Sequence, residues 1–112
     1  MSDVDAGSLY GNLNLLVLRV LADGPMHGLG IGRRIRLLSR DVLQIEEGAL
    51  YPALHRLRRD GYIAADWGVS EQNRRAKFYE LTASGRARLD REIEGWVRQT
   101  EAISRVIDLA NG

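Results

Sequence analysis

Cysteine is absent from the 112 residues, and with it go disulfides, thiolate nucleophiles and thiolate metal sites. That absence suits a reducing cytosol, and a cytoplasmic location is the expectation. Neither sign of charge dominates. Lys and Arg total 16 against 15 Asp and Glu, so a net charge of +1 exerts no global pull on an anionic partner. Any case for nucleic acid has to rest on where the charges sit. Long hydrophobic runs are missing as well: the longest, residues 15–18, stops at Arg19, far short of the roughly 20 residues that cross a bilayer. Residues 1–7 carry Asp3 and Asp5 and have neither a basic leader nor an apolar core. They are expected to be a disordered tail, not a signal peptide or anchor, and no membrane partner is expected. Only two histidines occur, His27 and His55, without an acidic pair at ligand spacing around both, so no metal is expected. There is no phosphate loop and no nucleophile with an evident base, so an enzyme fails on inventory and no cofactor is implied.

What is present is 45% apolar residues, enough for one core and too few for a second domain of ordinary size. Over residues 8–22 the apolar positions Leu9, Leu13, Leu16, Val17, Val20 and Leu21 fall on one helical face, and Asp23-Gly24-Pro25 stops the helix. Residues 28–39 put Ile31, Ile35 and Leu38 on a second stripe, with Arg33, Arg34 and Arg36 off it. Gly28, Gly30 and Gly32 weaken that helix, so packing must hold it. A third helix over residues 48–60 has Leu50, Leu54 and Leu57 as its core stripe and stops at Gly61. Proline is tolerated in a first turn, so Pro52 predicts a start near Gly48. Two β-type runs follow at residues 62–67 and 77–81, around a polar stretch, residues 68–76, too long for a tight turn and expected to project as a loop. Three short helices and such a hairpin make a mainly α, α+β chain: a winged helix-turn-helix with a two-stranded β wing.

A final helix is predicted from Thr82, its N-cap, nearly to the C-terminus. Leu89, Ile93, Trp96, Thr100, Ile103, Ile107 and Ala110 recur in steps of four and three, a spacing that keeps one stripe facing a partner helix. In a monomer that stripe would lie in water. Leu89, Ile93, Trp96, Thr100, Ile103 and Ile107 are therefore the expected seam of a homodimer.

Leu50-Tyr51-Pro52-Ala53-Leu54-His55-Arg56-Leu57, followed by Gly61-Tyr62-Ile63, resembles the PadR-like family of transcriptional regulators. Leu16-Val17-Leu18 and Gly24-Pro25-Met26-His27-Gly28 resemble its first helix and turn. Arg74-Arg75-Ala76-Lys77-Phe78-Tyr79 and Leu81-Thr82-Ala83-Ser84-Gly85 resemble its wing and exit. The resemblance implies a dimer on double-stranded operator DNA, usually a repressor, with a single C-terminal helix in the shorter members. It also implies a small-molecule inducer, often aromatic. The organisation expected is a tail over residues 1–7, a winged-helix DNA-binding domain over residues 8–81 and a dimerisation helix over residues 82–112. Two positions depart from the family pattern: Ala49 stands where many relatives carry Ser or Thr, and Arg58 where Glu is common. Both alter the contact surface, so an operator preference does not carry over from a relative.

With the leucine stripe inward, Pro52, His55, Arg56 and Arg59 point outward and Tyr51 and Arg58 flank them. This is the expected major-groove face: Arg56 and Arg59 suit guanine edges or phosphates, and Tyr51 a phosphate. Arg74, Arg75 and Lys77 cluster at the end of the wing loop, within reach of phosphates or a minor groove. Arg33, Arg34 and Arg36 are weaker candidates for backbone contact. His27 suits a turn or helix-start role. Glu46-Glu47 suits the dipole of the third helix and would repel phosphate. Trp96, or Trp67, could offer a flat surface to a planar ligand, with Trp96 the candidate ligand-binding residue, although aromatics in a helical stripe are more often core. The competing reading is a winged-helix protein–protein interaction module without DNA binding, which the near-zero net charge permits.

Overall fold

The computed structural model describes residues 10–111. The tail expected at residues 1–7 and the start of the first helical stripe, with Leu9, lie outside the described residues, as does the side chain of Ala110. Helix α1 (Leu13–Leu21) buries Leu13, Val17, Leu18, Val20 and Leu21. Four elements surround it, so the burial extends beyond one stripe: α2 (Gly28–Leu38), α3 (Glu47–Arg59), strand β3 (Arg75–Leu81) and α4 (Ala83–Asn111). Gly24, at φ +142, closes α1 through its N–H to the Leu21 carbonyl at 3.1 Å. This left-handed conformation suits glycine.

Between α1 and α2 runs a two-residue strand, β1 (Met26–His27). It pairs antiparallel with β3, Met26 opposite Tyr79 and His27 opposite Phe78, so the hairpin of β2 (Ile63–Val69) and β3 gains a third strand in the order β1-β3-β2. A run this short carries no periodicity to reveal it. His27 then caps α2: its Nδ1 accepts from the Gly30 N–H at 3.2 Å while its ring meets Phe78 edge-on at 5.6 Å. This is the helix-start role expected for it. Ile31 and Ile35 are buried as expected, but Leu38 is exposed. It is the last residue of α2, and the chain turns away after it with Arg40 and Asp41 in left-handed conformation.

Helix α3 buries Leu50, Ala53, Leu54 and Leu57 and takes Glu46 as N-cap, with Glu47 in its first turn. Its first intrahelical bond is Leu50 N–H to the Glu46 carbonyl at 3.0 Å, which puts Pro52 in the second turn instead of the first. The bond forgone is the one to the Gly48 carbonyl, near the exposed end of the helix where water can take its place. Gly61, at φ +82, ends the helix, and the Tyr62 N–H closes on Leu57 O at 3.0 Å.

The wing differs from the projecting loop expected. Strands β2 and β3 stay paired out to Val69 opposite Arg75, which leaves only residues 70–74 as the connection. Asn73 N–H bonds Ser70 O at 2.9 Å, Ser70 N–H bonds Arg74 O at 2.8 Å, and Asn73 sits at φ +59. A turn followed by one left-handed residue closes a hairpin tightly, and Asn tolerates that conformation better than most residues.

Helix α4 starts where Thr82 predicts: its Oγ1 accepts from the Gly85 N–H at 3.0 Å and donates to the Gly61 carbonyl at 2.7 Å. Gly85 lies directly against the Tyr62 carbonyl, an approach that leaves no space for a Cβ. Leu89, expected in the dimer seam, is instead only 3% exposed and belongs to the core cluster of the chain itself. The first turns of α4 pack on α1 and β3, so this end of the apolar stripe is covered without a partner.

Candidate nucleic-acid interface

The outward side of α3 carries Tyr51, Pro52, His55, Arg56 and Arg59, all exposed, as the leucine register requires. Arg58 is exposed beside them. Arg59 Nε pairs with the adjacent Asp60 carboxylate at 3.3 Å, whereas Arg56 forms no ion pair among the described residues. Both groups are well exposed, so the Arg59 pair is weak and readily exchanged. Charge along α3 runs from acidic Glu46 and Glu47 at its start to Arg56, Arg58 and Arg59 at its end.

Tyr51 is held against α2. Its ring fills the space where Gly28 has no side chain, a Cβ there lying 2.7 Å from the ring carbon. Partial burial, and then the neighbouring Glu47 carboxylate, push its phenol above the usual pKa of 10.0. At neutral pH the hydroxyl therefore keeps its proton and can donate to a phosphate oxygen. Tyr79 is raised for the same first reason, burial, and next by Tyr51, while Arg58 acts in the opposite direction.

On the wing the expected trio separates. Arg74 ends the turn, its N–H 3.3 Å from Ser70 Oγ, whereas Arg75 and Lys77 lie in β3 two residues apart and so share a face. That face also carries Trp67, directly opposite Lys77. The Arg75 guanidinium sits 4.6 Å from the indole centroid and the Lys77 ammonium 5.4 Å from it. Trp67 is thus occupied as a support for cations, a role invisible until the strand register is known. Following the same face down the hairpin leads to Tyr79, within electrostatic reach of Tyr51 and Arg58 on α3. Tyr79 is itself buried in the core, so this face runs from the cations of the wing into the packing beside α3. On α2, Arg36 pairs with Asp41 at 2.9 Å, whereas Arg33 and Arg34 make no ion pair among the described residues.

Beyond Leu89 the α4 stripe emerges from the core: Ile93, Trp96, Ile103 and Ile107 are exposed, with Val97 and Val106 at their flanks. Thr100 directs its hydroxyl back to its own helix, 2.9 Å from Trp96 O and 3.1 Å from Val97 O. The one polar member of the stripe thereby has its bonding partner internally. Trp96 also lines an open cleft of about 430 Å³ with Asn12 and Leu15, next to the ion pair of Arg88 and Glu92 at 3.0 Å.

The profile described as the Transcriptional regulator PadR-like family matches residues 17–91, two thirds of the chain and all of its sheet. The chain belongs to this family. Among the described residues one long helix, α4, follows the wing, as in the short PadR-like members. Among curated proteins it is similar to a transcriptional regulator of Mycobacterium tuberculosis, 35% identical over 77 residues that cover 69% of this chain and 68% of the relative. Among solved structures it superimposes on a transcriptional regulator from Clostridium thermocellum with a TM-score of 0.82 and 26% identity, covering 91% of this chain and 96% of that one. A PadR family transcriptional regulator from Eggerthella lenta gives a TM-score of 0.75 at 25% identity, covering 90% and 86%. Among the described residues no helix is long and apolar enough to cross a membrane. The family match ends at Arg91, before the exposed part of the α4 stripe, so it bears on the PadR-like winged-helix portion and leaves that stripe to be argued on its own chemistry.

Proposed function

We propose that this PadR-like chain is a cytoplasmic homodimeric repressor that reads double-stranded operator DNA and is released by a small aromatic molecule. The observation that carries the reading is the presence of two cationic groups, Arg56 and Arg59 on the outward face of α3 and Arg75 and Lys77 on the Trp67 side of the wing. In this reading α3 enters the major groove with His55, Arg56 and Arg59, Pro52 lies along the same face, and Tyr51 donates to a flanking phosphate. Glu46 and Glu47 would repel phosphate, so the arginine end of the helix makes the closest approach to the backbone. Arg74, Arg75 and Lys77 hold the adjacent backbone. Dimerisation through α4 sets two recognition helices about one turn of DNA apart, matching a pseudo-palindromic site. Trp96, half exposed beside its cleft, is the surface on which a planar inducer stacks.

The test is fluorescence anisotropy on duplexes selected from a random library by the wild-type protein, titrated against salt and against scrambled controls. The expected result is preferential binding whose log affinity falls linearly with log salt. A folded Arg56→Ala, Arg59→Ala double variant should bind roughly 10- to 100-fold more weakly. Unchanged affinity in that variant, or no duplex preferred at any salt, overturns the reading in favour of a protein-binding module. In the same assay, aromatic compounds that release the wild type should fail on Trp96→Leu, and equal release of both proteins overturns the inducer site.

A further inference from the structure

We infer that Trp67 is a positioning residue of the wing, whose indole holds Arg75 and Lys77 over one ring so that both cations meet the same stretch of DNA backbone. The inference rests on the DNA-binding reading above and adds a residue to it. A tryptophan ordinarily brings a large apolar surface to a core, yet Trp67 is 56% exposed, out on a hairpin and away from the core cluster. Its ring is not idle there. Lys77 is its direct cross-strand partner and Arg75 its diagonal neighbour, and their charged groups lie 5.4 and 4.6 Å from the ring centroid. Both distances are inside the roughly 6 Å range of attraction between a cation and an aromatic face.

The arrangement answers a physical difficulty. Two like charges on alternate residues of one strand repel, and long exposed side chains gain entropy by splaying apart. Neither Arg75 nor Lys77 has an ion-pair partner among the described residues to hold it. The acidic residues within the hairpin strands, Asp66 and Glu80, stand on the opposite face by strand alternation, and Glu71 lies in the turn. The indole face therefore supplies the negative potential that keeps both cations together. It does so without neutralising them, as a carboxylate would. Val69, also exposed, continues the apolar strip beside the ring toward the tip, where a sugar edge can rest. By strand alternation this face also carries Tyr79, whose phenol is influenced by Tyr51 and Arg58 of α3, and the DNA-binding reading puts the backbone on this side of the wing.

Because Trp67 acts through its neighbours' order and not through charge, its loss should separate two quantities that a direct phosphate contact moves together. On a duplex selected by the wild-type protein, Trp67→Leu should bind roughly three- to ten-fold more weakly with an unchanged salt slope. Arg75→Gln should lower the slope itself by about 0.9. Trp67→Phe, which keeps an aromatic face and guards against a failure of Trp67→Leu to fold, should recover part of the affinity. In the free protein, NMR should show the Arg75 δ and Lys77 ε protons shifted upfield by the indole, and Trp67→Leu should abolish those shifts. Unchanged or tighter binding by Trp67→Leu overturns the inference, as does a loss accompanied by a lower salt slope or a Trp67→Phe variant no better than Trp67→Leu. If the wild type selects no duplex, the DNA-binding reading fails and this one with it. That outcome is distinct from wild-type binding that is indifferent to residue 67.

Discussion

Tyr79 occupies the point where sheet, recognition helix and core meet. Its ring belongs to the core cluster, its backbone pairs with both Met26 and Ala65, and its hydroxyl senses Tyr51 and Arg58. Burial raises its pKa above 10.0, followed by the effect of Tyr51. The consequence for stability has a definite sign. Below the unfolded-state pKa of about 10 the phenol is neutral folded and unfolded, and its full contribution to stability is present. Above that value the unfolded chain ionises first and is favoured, so stability falls until the folded phenol also titrates. Within that window each pH unit costs about 1.4 kcal/mol. The urea midpoint of the wild type should therefore drop more steeply above pH 10 than that of Tyr79→Phe, with the two curves parallel between pH 7 and 9. Parallel curves through pH 11 would show that burial does not discriminate against the phenolate. Tyr51 is raised by burial and Glu47 in the same sense, and since it stays protonated at neutral pH its proposed role as a phosphate donor needs no ionisation step.

At the scale of elements, the junction of α3, β2 and α4 decides how the recognition helix is presented. One side chain, Thr82, caps α4 through Gly85 N–H and reaches back to the carbonyl of Gly61 at the end of α3, while its own N–H bonds the Tyr62 carbonyl at 3.1 Å. Thr82→Val keeps the shape and removes both hydroxyl bonds, so it should cost about 1–2 kcal/mol in urea denaturation, and Thr82→Ser should restore most of it. A cost under about 0.3 kcal/mol would mean that water replaces the hydroxyl on both sides. This junction was legible in the chain, since a hydroxyl residue before a long periodic run marks a helix start. The four helices were legible for a related reason, each burying a stripe that helical spacing exposes. What spacing does not say is what covers the stripe. Leu18 lies off the predicted stripe yet is buried, because α1 is surrounded on several sides, and the register of Leu89 is continuous with the exposed residues after it, so spacing alone does not separate core from seam. The extra length of the wing strands is not legible because Gly68 and Ala76 have little β-propensity; the tight turn at Asn73 next to them brings them into register. The candidate interface is legible residue by residue on α3, where helix periodicity suffices. On the wing it is legible only in part, since the link from Trp67 to Arg75 and Lys77 requires cross-strand register.

At the scale of the whole molecule the shape is uneven. The longest extent is 56 Å against 32 and 21 Å, and the radius of gyration of 15.7 Å exceeds the roughly 13 Å of a compact chain of 100 residues. The excess comes from α4, whose 29 residues extend about 43 Å at 1.5 Å per residue, well past the core that covers Leu89. Along the exposed part, Ile93, Trp96, Ile103 and Ile107 present a stripe rising from 37% to 55% exposure as the helix leaves the core. A second copy of the same helix, crossing it symmetrically, is the cover we propose, because the stripe is self-complementary in character and Thr100 brings no unsatisfied group into it. The proposal separates two classes of residue that one continuous register had merged. Ile103→Glu together with Ile107→Glu should leave the fold of the winged-helix part intact and convert a species of twice the chain mass into one of single mass in sedimentation equilibrium at tens of micromolar. Leu89→Ala should instead lower the stability of each chain by about 2–5 kcal/mol, the cost of a cavity in a packed core. A wild-type chain that sediments as a monomer throughout that range would overturn the dimer, and with it the spacing of two recognition helices on DNA. A double variant that stays dimeric would move the contact to another surface and leave the exposed end of α4 to a different partner.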